Sequence, residues 1–130
     1  MNKLMYVICL LSVLFVNPTY AESLKNCNDL TNEVNKQFPT RIDKITTIKS
    51  AICYEERKKA KLIYNMVIDF AEAPSMDQKI LNTMRPNLTN SLCTNPDFID
   101  LLKMFPISYV YYFDNGKYIG ELEFSLKQCK

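Results

Sequence analysis

The sequence predicts an α+β fold in which an N-terminal helix, a β-hairpin, a helix pair and a C-terminal β-hairpin form a four-stranded antiparallel sheet covered by helices. Three observations lead to this prediction. Two pairs of segments rich in β-branched and aromatic residues have the pattern of hairpins, and the segments around them have helical spacing. The chain after residue 21 contains four cysteines, which can form disulfides that stabilise a small exported domain.

Residues 1–21 have the pattern of a secretory signal peptide. A lysine precedes an apolar run over residues 5–16, and small residues lead to a cleavage site between Ala21 and Glu22. The apolar run is about a dozen residues, shorter than the roughly 20 that a membrane span requires. We therefore predict that the signal is cleaved, that residues 22–130 form a single periplasmic or secreted domain, and that this domain has no stable membrane insertion.

The first half of the mature chain predicts one helix and one hairpin. Glu22–Phe38 has a loose helical spacing of apolar residues and is followed by Pro39. Ile42–Tyr54 has isoleucines at helical spacing, but its β-branched residues favour a strand. Lys61–Phe70 alternates between apolar and polar residues, so these two segments are expected to pair around a charged tip, Glu55–Lys59.

The next segment predicts a helix pair. Ser75 and Gln78 match a capping box that would begin a helix over Met76–Leu92, and Pro86 is expected to kink or split it. An Asn-Pro pair at residues 95–96 then begins a second helix, because asparagine caps helices well and proline fits their first turn.

Ile107–Leu126 is predicted to be the C-terminal hairpin, with Asn115-Gly116 as a two-residue type I′ turn. That register places Tyr112 opposite Ile119. Its apolar face would carry Ile107, Tyr109, Tyr111, Phe113, Tyr118, Leu122 and Phe124. Its mixed face would carry Ser108, Val110, Tyr112, Ile119, Glu121 and Glu123. We expect the apolar face to lie on the core and the mixed face to contact any partner.

The composition excludes several kinds of chemistry. The chain has no histidine and two glycines, which excludes histidine-based catalysis and glycine-rich phosphate loops. Its net charge of +2 does not suggest a nucleic-acid-binding protein. Glu121 and Glu123 would lie roughly 7 Å apart along a strand, a carboxylate spacing that glycoside hydrolysis can use. Glutamates at such positions are more commonly ordinary solvent-facing residues of a strand. We predict no enzyme, and no catalytic, cofactor-binding or metal site.

The cysteines predict two disulfides. Signal cleavage removes Cys9 and leaves Cys27, Cys53, Cys93 and Cys129. An even number of cysteines in a short exported chain indicates disulfides, and four cysteines allow three pairings.

Five segments within about residues 38–130 form a pattern found in a known family. They are KLIYNMVIDF, SMDQKILN, SLCTNPDFIDLL, ISYVYYFDNGKYIGELEF and the terminal KQC. The pattern resembles that of the β-type pilotins of type II secretion systems, small periplasmic proteins that bind the C-terminal segment of a secretin subunit. The resemblance implies a disulfide between Cys93 and Cys129, which leaves Cys27 and Cys53 as an extra pair. Pilotins of this type are typically lipoproteins, whereas no lipidated cysteine is expected here.

The predicted function is protein binding, most specifically a pilotin-like role with a secretin or another secretion-system or envelope protein as partner. The alternative is a periplasmic inhibitor or immunity protein against a toxin or hydrolase, with the tip Glu55–Lys59 as its contact loop. A third hypothesis, a small hydrolase, would use Glu121 and Glu123. The sequence does not assign partner-binding residues.

Overall fold

The computed structural model describes residues 20–57 and 59–129, so residues 1–19 of the predicted signal lie outside it. The elements in chain order are helix α1 (Tyr20–Val34), a 3-10 turn (Asn35–Gln37), strands β1 (Thr40–Arg41), β2 (Thr46–Glu56) and β3 (Lys59–Ile68), helices α2 (Gln78–Cys93) and α3 (Pro96–Met104), strands β4 (Ile107–Phe113) and β5 (Tyr118–Phe124), and a 3-10 turn (Leu126–Cys129). The predicted order of helix, hairpin, helix pair and hairpin is confirmed.

The sheet has five strands in the order β1-β2-β3-β4-β5. All neighbours are antiparallel except β3 and β4, which are parallel. The α+β class is therefore confirmed, and the four-stranded, wholly antiparallel sheet is wrong. The helix pair α2–α3 carries the chain back to the starting end of β3 before β4 begins, which is the kind of crossover that parallel neighbours require.

The fifth strand, β1, arises because the predicted strand from Ile42 is interrupted. The Asp43 carboxylate accepts hydrogen bonds from the backbone N–H groups of Ile45 (2.9 Å) and Thr46 (2.8 Å). This local turn, typical of aspartate, separates β1 from β2 and returns β1 to the edge of β2.

Helices cover one face of the sheet. The residues of β3 that are buried on this face are Ala60, Leu62, Tyr64, Met66 and Ile68. Helix α1 packs over β2 and β3, while α2 packs over β5. The alternation predicted for β3 is thus confirmed except at Phe70, which lies beyond the strand and is 44% exposed.

The helix ends differ in detail from the prediction. α1 ends at Val34 and passes into a 3-10 turn, so its last turn is tighter than expected. α2 begins at Gln78, and Asp77 caps it by accepting a hydrogen bond from Ile80 N–H (2.9 Å). The capping box is therefore wrong. Of the two effects predicted for Pro86, a kink or a split, the split does not occur, because α2 continues through this residue.

The start of α3 is as predicted. The side-chain oxygen of Asn95 accepts a hydrogen bond from Asp97 N–H (2.9 Å), and Pro96 is the first helical residue. Proline costs nothing there because the first N–H of a helix has no partner within the helix.

The C-terminal hairpin turn has three loop residues instead of two. Gly116 N–H donates to the Phe113 carbonyl (2.8 Å), and Phe113 N–H donates to the Lys117 carbonyl (2.8 Å). Gly116 has φ +91°, whereas Asn115 does not have the positive φ that a type I′ turn requires. The turn is thus the longer type in which glycine takes the left-handed position and forms a bulge.

A second irregularity restores the predicted register. Tyr111 pairs with Gly120 as predicted, but Tyr112 pairs with Tyr118, which leaves Ile119 as a bulge. Tyr118 therefore lies beside Tyr112, with ring centroids 5.7 Å apart, on the face away from the helices. The prediction that placed Tyr118 on the apolar face is wrong.

Two disulfides connect the helices to the rest of the fold. Cys27–Cys53 joins α1 to β2, with 5.8 Å between the Cα atoms. Cys93–Cys129 joins the end of α2 to the C-terminal 3-10 turn, with 5.1 Å between the Cα atoms. Cys93–Cys129 is the pair that the pilotin resemblance implies, and Cys27–Cys53 is the extra pair that it leaves. Among the described elements, no helix combines the length and the hydropathy needed to cross a membrane.

Candidate protein-binding face

The second face of the sheet, which we call the open face, lies opposite the described helices. Its residues on β3 are Lys61, Ile63, Asn65 and Val67, all of them partly exposed. A sheet with one solvated face normally carries polar residues there, because apolar side chains gain by burial. The composition of this face departs from that expectation.

Apolar side chains cross the open face in a diagonal band. The strand register aligns Ile52 with Ile63, and Val67 with Tyr112. The members of the apolar band, from the end of β2 to the start of β5, are Tyr54, Ile52, Ile63, Val110, Val67, Tyr112 and Tyr118. The band joins the two hairpins and is formed by neither alone.

The two ends of the apolar band are the most exposed parts of it. Ile52 is 46% exposed, Tyr54 51% and Tyr118 56%. Contiguous apolar surface of this kind marks interaction sites on soluble proteins, and tyrosine is enriched at such sites. The band is therefore the candidate partner-binding surface.

A charged cluster lies on the β5 side of the apolar band. Lys61 Nζ is 3.4 Å from Glu121 Oε2 and 3.3 Å from Glu123 Oε1, and the fully buried Ser108 donates a hydrogen bond to Glu121 Oε2 (3.0 Å). Burial acts to lower the pKa of Lys61, but the hydrogen bonds and charges of Glu123 and Glu121 outweigh it, so the pKa is raised. Lys61 therefore stays charged.

This geometry gives the hydrolase hypothesis no support. Glu121 and Glu123 do share the open face, as predicted. However, the Lys61 ammonium occupies the space between their carboxylates, where a scissile bond would have to lie.

A concave region of about 540 Å³ lies on the β2 side of the band. Its floor includes Ser50 and Asn65, whose side chains are joined by a hydrogen bond of 3.0 Å from Asn65 Nδ2 to Ser50 Oγ. Val67 and Tyr112 of the apolar band form part of its wall, and Lys49 stands exposed at its margin. The region is thus a polar depression beside the apolar band.

Side chains of helix α2 close the free edge of β5. Gln78 Nε2 donates to the Glu121 carbonyl (3.0 Å), and Glu121 N–H donates to Gln78 Oε1 (2.8 Å). Two helical turns further on, Arg85 Nη1 donates to the Glu123 carbonyl (2.8 Å). These side chains take the place that a neighbouring strand would occupy.

At the opposite edge of the sheet, Asn35 covers one residue of β2 in a similar way. Asn35 Nδ2 donates to the Ala51 carbonyl (2.9 Å), and Ala51 N–H donates to Asn35 Oδ1 (2.7 Å). Strand β1 pairs with β2 just before this point. Edges protected in this way resist strand addition, so a partner is better accommodated on the open face than at an edge.

The sequence predicted the position of one member of the apolar band. It placed Tyr112 on the mixed face of its hairpin, as the structure does, but it did not predict which residues of β2 lie on the open face, Ile52 and Tyr54 among them. A signal was available: Cys53 bonds to a cysteine of the first helix, so Cys53 must face the helices and its neighbours must face away.

The predicted contact loop is the turn between β2 and β3. Arg57 there has φ +51°, a left-handed conformation uncommon for a residue with a side chain. The loop lies next to Tyr54, at one end of the apolar band.

The fold is similar to that of two solved type II secretion pilotins, so the resemblance inferred from sequence is confirmed at the level of fold. The pilotin EpsS of Vibrio vulnificus superposes with a TM-score of 0.64 at 9% identity, covering 85% of this chain and 94% of that one. The pilotin AspS of Vibrio cholerae superposes with a TM-score of 0.62 at 13% identity, covering 84% and 97%.

A third structure extends the similarity beyond proteins known as pilotins. A Pseudomonas aeruginosa protein proposed to be secreted has a TM-score of 0.72 at 17% identity, covering 88% of this chain and 99% of that one. No protein-family model and no curated protein matches the chain. At these identities the likeness is one of fold.

Proposed function

We propose that this protein is an exported protein-binding domain with a pilotin-like role, which binds a segment of a secretion-system or envelope protein, such as a secretin, on its open face. The observation that carries this proposal is an exposed apolar band on a pilotin fold. The predicted signal peptide of residues 1–21 and the two disulfides support an oxidising, exported location.

The dimensions of the apolar band suit an amphipathic helix. The band crosses three strand spacings, about 14 Å, and advances by about six residues along the strands, about 20 Å. Its length is therefore about 25 Å, which corresponds to about 16 residues of α-helix. Because both sheet edges are closed where Gln78 and Asn35 bind them, a helix laid on the face is favoured over an added strand.

Site-specific photo-crosslinking in native cells tests the proposal. A photoreactive phenylalanine at Tyr112, in the middle of the apolar band, should crosslink to a secretin or another secretion-system or envelope protein. The matched control places the same residue at Lys79, which is exposed on α2 away from the open face.

Three outcomes would contradict the proposal. They are no crosslink from Tyr112, an identical set of products from Lys79, and specific capture of a toxin or lytic enzyme. The last outcome would favour the inhibitor or immunity-protein hypothesis.

A further inference from the structure

The open face carries different charge on the two sides of the apolar band. The β5 side holds two carboxylates, Glu121 and Glu123, and one ammonium, Lys61. The β2 side holds one ammonium, Lys49, and one carboxylate, Asp114, around the neutral pair Ser50 and Asn65. A ligand lying on the band would thus meet a net negative charge on the β5 side and no net charge on the β2 side.

The excess negative charge is concentrated on Glu123. Glu121 Oε2 is bound by both Lys61 and Ser108, whereas the Glu123 carboxylate is bound, among the described residues, through Oε1 by Lys61. The Glu123 side chain is 53% exposed, compared with 12% for Lys61. One ammonium cannot neutralise two carboxylates, so the exposed Glu123 carboxylate retains capacity for a second cation.

Within the described ranges, Arg85 and Lys59 do not supply that second cation. Arg85 binds the Glu123 main chain and lies over the Phe124 ring, 5.7 Å from its centroid, on the helix-covered side. Lys59 lies further down β3, beyond the end of the band. The Glu123 carboxylate is therefore directed to the open face with one cation beside it.

We propose that Glu123 is a specificity-determining residue of the open face, and that it selects a partner helix with a basic side chain on the flank facing β5. This inference rests on the proposed function and names the chemistry of its partner. Charge complementarity of this kind contributes more to the choice and orientation of a partner than to affinity. The buried hydrogen bond from Ser108 and the ion pairs of Lys61 hold the carboxylates in place before binding.

Binding of two synthetic peptides tests this inference. Both are amphipathic helices of about 18 residues with the same apolar stripe. One carries arginine on a flank, the other glutamate at the same position, and the opposite flank is neutral. We expect the wild-type protein to bind the arginine peptide about five- to tenfold more tightly at low salt, measured by fluorescence anisotropy.

Substitutions of Glu123 should change this preference in a defined way. Glu123→Gln should reduce it to about twofold or less, Glu123→Asp should retain it, and Glu123→Lys should reverse it. Glu72→Gln is the matched control, because Glu72 is an exposed carboxylate in the loop before α2. Far-UV circular dichroism verifies that each variant is folded.

The results separate this inference from the proposed function. Equal binding of both peptides, lost in Tyr112→Asp, would overturn the role of Glu123 and leave the open face as a binding surface. Binding insensitive to Tyr112→Asp, or self-association of the protein through this face, would overturn the inference. Crosslinking from Tyr112 decides the proposed function independently.

Discussion

Gly120 lies on β5 directly beneath the start of α2. A Cβ atom at this position would overlap Gln78 Oε1 and lie 3.1 Å from Leu81 Cδ1. The same Gln78 amide binds both backbone groups of Glu121. The absence of a side chain at Gly120 therefore allows the helix to come close enough to close the sheet edge.

A double-mutant cycle tests this close approach. Gln78→Ala should lower the free energy of unfolding by about 1–2 kcal/mol, because it leaves two backbone groups of Glu121 without their partner. Gly120→Ala should lower it by a similar amount, because the new Cβ atom displaces the Gln78 amide. The double variant should lose clearly less stability than the sum of the two single losses, since both changes break the same contact.

Urea denaturation of the four proteins measures the cycle. Gln37→Ala, at an exposed position of the 3-10 turn after α1, is the control and should be nearly neutral. Additive effects would show that Gln78 and Gly120 act separately.

Three tyrosines on the helix-covered face have raised pKa values. Burial raises the pKa of Tyr64, and it raises the pKa of Tyr111 to about 12, with a smaller contribution from the charge of Asp43. Burial also raises the pKa of Tyr109, helped by Tyr64 and Tyr111. Deprotonation of each tyrosine hydroxyl therefore requires more free energy in the folded protein than in the unfolded chain.

The protein should therefore lose stability in alkali. Below the unfolded pKa of about 10, the tyrosines are protonated in both states and their contribution is fully present. Above it the unfolded chain binds fewer protons than the folded protein, so stability falls as pH rises, for Tyr111 up to pH about 12.

Denaturation at about pH 9 and about pH 11.5 tests this. Between these two pH values the free energy of unfolding should fall by about 2 kcal/mol less in Tyr111→Phe than in the wild type. Tyr54→Phe, on the exposed band, serves as the control. An equal decline in wild type and Tyr111→Phe would contradict the prediction.

At the scale of elements, the disulfides hold the helices to the sheet. Cys27–Cys53 closes a separation of 26 residues and fastens α1 to β2, while Cys93–Cys129 closes 36 residues and fastens the end of α2 to the chain after β5. A sheet with one open face has a core on one side only, so these crosslinks hold the covering layer in place.

Removing each disulfide should lower the free energy of unfolding by about 3–4 kcal/mol, because the crosslink reduces the entropy of the unfolded chain. Cys27→Ala with Cys53→Ala, and separately Cys93→Ala with Cys129→Ala, should show this loss in urea denaturation without reductant. A pair whose removal changes stability by less than about 1 kcal/mol would show that packing alone fixes its helix.

At the scale of the whole molecule, the two faces of one sheet have different environments. The helix-covered face buries the core, including Met66 and Leu62, whereas the open face leaves tyrosines and isoleucines in solvent. Because side chains alternate along a strand, adjacent residues on β3 and β2 lie on different faces. We therefore expect that stability and the proposed binding can be changed independently.

Paired substitutions on the two faces test this separation. Met66→Ala should lower the free energy of unfolding by about 2–5 kcal/mol, because it leaves a cavity in the core. Tyr54→Ser, 51% exposed on the band, should change it by less than about 0.5 kcal/mol and yet reduce crosslinking from Tyr112. A Tyr54→Ser variant that unfolds, or that binds normally, would place Tyr54 outside the binding surface.

Much of the fold follows from local patterns. The strands β2 to β5, the three helices and the Asn95 cap follow from periodicity and from residues with fixed local preferences. The errors lie where two elements compete for the same residue. Gln78 matches a capping box in sequence, but Asp77 caps the helix and the Gln78 amide binds the edge of β5 instead.

The candidate site was only partly predictable for the same reason. Tyr112 was assigned to the partner-facing surface, because alternation within the last hairpin is local. Tyr118 was misplaced, because a glycine bulge and a second bulge at Ile119 change which residues oppose each other. Ile52 and Tyr54 join the site only through the pairing of the two hairpins.

The sequence by itself determined the class of fold, the three helices, the strands β2 to β5 and a resemblance that the pilotin structures confirm at the level of fold. Tertiary structure alone decided that β3 and β4 run parallel, that side chains from helical segments close both sheet edges, and that the apolar band spans four strands. The physical reason is that periodicity reports the environment of a residue along its own element. The neighbours of that element are set by the packing free energy of the whole molecule.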